Sequence, residues 1–173
     1  MGVVYLWLGS NMGNKKKHII KALESLKSCM TIQKISPLYH SRAQWFVGND
    51  FCNCVIQGVT SASAEELLHA IQSIEKSMKK KSRDEQGNYT DRTIDIDILL
   101  YDSWVMNTDV LIFPHQRMQQ RDFVLRPLID IDPDITEPIS GKKYRVFLDK
   151  IPTHERTILF KENNWYDKDS LNL

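Results

Sequence analysis

The sequence has little of what cross-links or anchors a small protein. Its three cysteines, Cys29, Cys52 and Cys54, are an odd number with no CxxC pair. That excludes a disulfide framework or thiolate zinc site and points to reduced, buried thiols. No stretch approaches the roughly 20 apolar residues of a membrane span. Charge of one sign is also missing: 23 Lys+Arg against 22 Asp+Glu leave a net charge of +1, removing the simplest case for nucleic-acid binding. The opening MGVVYLWLGSN lacks the basic region of a signal peptide, and Tyr5-Leu6 stand where a myristoylation signal needs Ser or Thr. What remains is 173 residues, 42% hydrophobic and 26% charged, the profile of one cytoplasmic globular domain over 1–173.

Hydrophobic spacing divides the chain into alternating elements. Val3 to Leu8 is an apolar run closed by Gly9-Ser10-Asn11, a buried strand and a turn. Ile19, Ile20, Leu23 and Leu26 recur at helical spacing up to about Cys29. Thr31 to Tyr39 reads as one strand, His40 to Asp50 as a loop, and Phe51 to Val59 as a strand that turns Cys52 and Cys54 to one face. Ser63-Ala64-Glu65-Glu66 forms a capping box opening a helix with Leu67, Leu68, Ile71, Ile74 and Met78 on one stripe. Lys79 to Asn88 is a polar loop, Thr93 to Tyr101 a strand, and Trp104-Val105-Met106 its expected hairpin partner. The order β-α-β-β-α-β predicts an α+β, ferredoxin-like sandwich: an antiparallel sheet with two helices on one face. A C-terminal extension of loops and short helices follows, with a solvated tail from about Asn163.

The chemistry concentrates in Asp91-Arg92-Thr93-Ile94-Asp95-Ile96-Asp97-Ile98. Residues i and i+2 of a strand leave one face with Cα atoms roughly 6.5–7 Å apart, so Asp95 and Asp97 project side by side while the isoleucines pack behind. Paired carboxylates suit Mg²⁺, which is held by one or two of them plus substrate phosphates; a merely solvated strand face would carry the same pattern. Arg92 can pair with the carboxylates or with a phosphate. His115 and Arg121, six residues apart, can reach one site or be surface residues. Gly9 to Asn14 has the look of a phosphate-cradling turn but lacks the GxxxxGK[ST] pattern, which leaves a flexible turn as the simpler reading. Lys79-Lys80-Lys81 and Arg83 suit polyphosphate or simple solvation.

Taken together, LGSNMGN after the first strand, DRTIDIDILLY, the Pro114-His115 pair and RDFVLRPL resemble the 6-hydroxymethyl-7,8-dihydropterin pyrophosphokinase family over about residues 3–150. The resemblance implies a ferredoxin-like fold and transfer of a pyrophosphoryl group from ATP to the pterin hydroxymethyl oxygen, giving AMP, in folate biosynthesis. It implies Asp95 and Asp97 as ligands of two Mg²⁺ ions, with Asp95 also on the substrate side. Arg92, His115 and Arg121 match phosphate-contacting positions; Gln72 and Glu75 match the nucleotide and metal side, and Ile98 a backbone that holds adenine. Phe51, Asn53 and Phe123 match the pterin slot: two rings to sandwich a flat heterocycle and a carboxamide to read its edge.

The chain departs from the family pattern in several places. Lys79-Lys80 replaces Gly-Arg, so Lys80 supplies charge without a bidentate fork. Ser41-Arg42 replaces Thr-Pro, putting Ser41 on the pterin side; Tyr89 replaces Trp, and Gln116 follows the His. The expected partners are ATP and the pterin, with no nucleic acid or membrane, acting on a monomer. The expected catalytic groups are Arg92, His115, Arg121 and Asp97, under loops at 41–49 and 79–88 that close over the substrates. The alternative is a ferredoxin-like module that binds nucleotide or RNA without chemistry.

Overall fold

The computed structural model describes residues 1–44, 46–78, 91–167 and 169. The expectations for Lys79, Lys80, Lys81, Arg83, Tyr89 and the loop at 79–88 fall outside the described residues.

Strand β1 (Gly2–Ser10) is buried over nearly its whole length. Gly13, at φ +58°, turns the chain, and the Asn14 side chain accepts from the Lys17 backbone N–H at 3.1 Å to open α1 (Lys15–Leu26). Ile19, Ala22, Leu23 and Leu26 then bury one stripe of this helix. The strand expected over 31–39 is two: β2 (Thr31–Ile35) and β3 (Leu38–Ser41). Pro37 has no N–H to give a ladder. Ser36 bridges the break, its N–H donating to Val55 O at 2.9 Å while its hydroxyl accepts from the Val55 N–H at 3.0 Å. His40 and Ser41 therefore belong to a strand and not to the expected loop.

Both short strands pair with β4 (Phe51–Thr60). The capping box forms as expected, with Ser63 and Glu66 bonded reciprocally at 2.7 and 3.2 Å, and starts α2 (Ala64–Ser77). Strand β5 (Asp95–Tyr101) completes the β-α-β-β-α-β order with its second strand split. The hairpin expected at Trp104–Met106 does not add to β5; instead β6 (Met106–Asn107) pairs with β7 (Ile112–Phe113). The outer edge of β5 is engaged elsewhere: Glu75 accepts from the Ile96 N–H at 2.9 Å, and the His115 N–H donates to Leu99 O at 3.0 Å.

The extension is more than loops. It forms α3 (Asp122–Ile131), α4 (Tyr144–Lys150) and a further strand, β8 (Ile158–Glu162), antiparallel to β3. Among the described residues the main sheet runs β5-β1-β4-β3-β8, with β2 also on β4. Helices α1 and α2 cover one face through Leu6, Leu8, Ile56, Ile96 and Ile98, while α3 and α4 cover the other through Trp7, Val55, Leu99, Leu125 and Tyr144. Two tyrosines of the sheet clamp the C-terminal end of α3: Tyr5 donates to Asp132 at 2.6 Å and Tyr39 donates to Asp130. The solvated tail expected from Asn163 does not begin there, because Trp165 is 5% exposed and its indole N–H donates to Ser36 O at 2.9 Å.

Candidate active site

Alternation on three adjacent strands gathers the site on the α3 side of the sheet. Gly9 on β1 pairs with Asn53 on β4 and with Asp95 on β5, so the amide and the carboxylate flank one glycine. Trp7 pairs in the same way with Val55 and Asp97. A bulge in the β1–β5 ladder after Tyr5 lets both Leu99 and Leu100 join the α3-side core. Ile94, Ile96 and Ile98 pack on the opposite face, as the alternation predicts.

The charged part of the site runs along β5. Asp95, 7% exposed, forms an ion pair with the Arg92 guanidinium. Asp97 faces His115, its Oδ2 lying 3.8 Å from the imidazole Nε2. The Arg117 N–H donates to His115 Nδ1 at 3.3 Å, so a neutral ring carries its proton on Nε2, towards Asp97. Burial and the nearby Arg121 cation, opposed in part by Asp95, push the His115 pKa down to about 4. The imidazole is thus a neutral donor near pH 7. Arg121 stands at the entry to α3 with its guanidinium carbon 5.7 Å from the Phe123 ring centroid.

The aromatic part continues from there. Phe123 meets the Trp7 ring edge-on at 5.8 Å, and Phe51 lies tilted against the same indole at 6.4 Å. Phe46 adds an edge contact to Phe51 at 6.3 Å. Asn53 is fully buried; its amide NH₂ donates to Ser41 Oγ at 2.7 Å and to Tyr39 O at 3.3 Å, while its Oδ1 has no hydrogen-bond partner among the described residues. Arg92 thus pairs with Asp95, Asp97 faces His115, the Arg121 charge acts on His115, and Arg121, Phe123, Trp7 and Phe51 follow one another in a series of ring contacts. Glu75 sits outside this series at the sheet edge, its carboxylate occupied by the Ile96 N–H. Gln72 is exposed one turn earlier on α2, and the Ile98 side chain lies in the α1/α2 core, leaving only its backbone for a ligand.

Three contributors were not assigned these roles by sequence. Asn11, 1% exposed, makes the Gly9–Asn14 turn a brace and not a flexible turn. Its side-chain NH₂ donates to Asp91 at 2.6 Å and Asn49 O at 3.2 Å, and its Oδ1 accepts from the Arg92 N–H at 2.6 Å. Asp91 in turn accepts from Asn49, so the end of the 42–50 segment and the start of the Arg92 segment are tied together. Asp122 is buried and accepts from the Thr157 N–H and hydroxyl and the Ile158 N–H at 2.8–3.0 Å, fixing the first turn of α3 and hence Phe123. The third is Trp7, which sequence alternation places on this face without showing what it touches.

Comparison with known proteins agrees with this geometry. The family described as 7,8-dihydro-6-hydroxymethylpterin-pyrophosphokinase matches residues 5–133. A 2-amino-4-hydroxy-6-hydroxymethyldihydropteridine pyrophosphokinase of Aquifex aeolicus is 41% identical over 148 residues, 85% of this chain and 91% of that protein. The folic acid synthesis protein fol1 of Pneumocystis carinii is 37% identical over 88% of this chain, which spans only 20% of that longer protein. Among solved structures, the HPPK-DHPS of Plasmodium falciparum shares the fold at a TM-score of 0.67 and 17% identity, over 87% of this chain and 43% of that one. With the family model matched over residues 5–133 and a 41% identical relative covered over 91% of its length, the chain belongs to the 7,8-dihydro-6-hydroxymethylpterin-pyrophosphokinase family.

Proposed function

We propose that this chain transfers the β,γ-pyrophosphoryl group of ATP to 6-hydroxymethyl-7,8-dihydropterin, releasing AMP, with Mg²⁺ bound at Asp95 and Asp97. The observation that carries this reading is that Asp97 faces His115, whose pKa the nearby Arg121 charge lowers, while the same Arg121 lies over the Phe123 ring. That arrangement sets a phosphate-binding charge cluster directly beside a slot for a flat ring.

The donor set fits the metal. Asp95 and Asp97 offer hard oxygens, and among the described residues no group of three or more His, Cys, Asp or Glu is placed to hold an ion alone. Such a pair leaves coordination positions for phosphate oxygens and water, as Mg²⁺ prefers. When bound there, Mg²⁺ supplies charge neutralisation of the triphosphate. Arg92 and Arg121 add positive charge and forked hydrogen bonding around the phosphates. Neutral His115 donates a hydrogen bond from Nε2 without adding charge.

Phe51, Phe123 and Asn53 hold and orient the pterin so that its hydroxymethyl oxygen faces the β-phosphorus. The new O–Pβ bond forms as the Pβ–O bond to the α-phosphate breaks. AMP leaves with that electron pair, and the hydroxyl proton is lost to water. The rival RNA-binding reading needs an open aromatic sheet face, whereas this face is packed against α3 and α4. Nucleotide product analysis with ATP, Mg²⁺ and 6-hydroxymethyl-7,8-dihydropterin tests the proposal. Pterin-dependent AMP is expected; ADP as the product, or no turnover, would overturn it.

A further inference from the structure

Trp7 carries two observations that ordinary core packing leaves unexplained. It is 4% exposed, yet its indole N–H has no hydrogen-bond partner among the described residues. A buried Trp N–H nearly always finds an acceptor, because leaving it unpaired forfeits its hydration. Its ring also lies flat along β1 over Gly9: a Cβ at that glycine would fall 2.2 Å from Cη2 and 2.5 Å from Cζ2. The absence of a side chain at Gly9 is what admits the indole between Asn53 and Asp95, the residues paired to either side of that glycine. There the indole touches both rings of the slot, Phe51 and Phe123. Asn53 beside it has a buried Oδ1 that likewise lacks a partner. One unpaired donor and one unpaired acceptor thus belong to residues that lie together beside the Phe51 and Phe123 rings.

We propose that Trp7 is a specificity-determining residue of this slot: its indole forms the wall joining Phe51 and Phe123, and its N–H donates to an acceptor on the bound heterocycle. The ligand edge that fits is one carrying a carbonyl or ring-nitrogen acceptor near an N–H donor, the donor going to Asn53 Oδ1. This rests on the pterin reading of the slot. A ring of the same shape without those heteroatoms would leave both buried groups unpaired and be rejected.

Trp7→Phe tests it, since the variant keeps an aromatic ring in the wall while removing the N–H together with the bulk of the second ring. Affinities for 6-hydroxymethyl-7,8-dihydropterin and for ATP with Mg²⁺ are measured by calorimetry on the full chain, with the thermal midpoint as a check on folding. Expected is a pterin Kd raised about three- to tenfold, with ATP Kd and the midpoint nearly unchanged. Trp7→Leu, which removes the wall as well, is expected to weaken pterin further and ATP no more. A Trp7→Phe chain that binds pterin as tightly as the wild type, or loses ATP and pterin affinity equally, overturns the role of Trp7. A wild-type chain that binds no pterin would overturn the proposed function itself.

Discussion

The two halves of the site are built from different groups, ionisable along β5 and neutral in the aromatic slot. Along β5 the charges answer one another: Arg92 pairs with Asp95, and His115 faces Asp97. In the aromatic slot the Trp7 N–H and the Asn53 Oδ1 are neutral and buried with no hydrogen-bond partner among the described residues. Charge clusters must exchange partners as the substrates' charge develops and moves, so they suit catalysis. Fixed, dry donors and acceptors gain most from one matching heterocycle and penalise a poor match, so they suit selection. Under the proposed function the difference amounts to a division of labour, with rate expected to depend on β5 and substrate choice on the slot between Phe51 and Phe123.

That division can be broken at specific side chains. Asp95→Ala removes a metal-type carboxylate and leaves Arg92 without its partner, and kcat is expected to fall by about 10³-fold or more. Steady-state AMP release checks it. Arg92→Lys keeps the charge but not the planar fork, and should lower kcat/KM by roughly 10- to 100-fold; the same assay reads it. Phe123→Leu acts on the other half and should raise KM for the pterin about tenfold, with KM for ATP within about twofold. Asn11→Ala sharpens the comparison from outside both halves. It leaves the half-buried Arg92 N–H without its side-chain acceptor and Asp91 with only Asn49 as donor, so stability should drop by about 1–3 kcal/mol in denaturant unfolding, with a smaller effect on rate.

The same contrast explains what could be read in advance. The carboxylates at Asp95 and Asp97 and the capping box at Ser63–Glu66 are local patterns, fixed by spacing of two or three residues, and both stand as expected. Strand β8 was invisible because Ile158–Glu162 has no strong alternation of its own. It is held by β3, more than 110 residues earlier, and by the Asp122 carboxylate; such pairing overrides local propensity. Trp165 was read as tail for the same reason: its partner is the Ser36 carbonyl. Asn11 looked like part of a loose turn because the groups that occupy its amide, Asp91 and Arg92, lie some 80 residues away. Trp7 could be placed on a face from alternation, but its contact with Gly9 and its unpaired N–H exist only in three dimensions. Sequence thus shows the charged half, which is built along one strand, better than the slot, which is assembled from three elements.

Asp97→Asn is the most direct test of the division itself, because it removes one charge from β5 while keeping the shape of the side chain. Pterin binding by calorimetry, at saturating non-hydrolysable ATP analogue and Mg²⁺, is set against AMP release by the same variant. The account predicts a pterin Kd within about threefold of the wild type while turnover falls by about 10³-fold. A loss of pterin affinity as large as the loss of rate would contradict it.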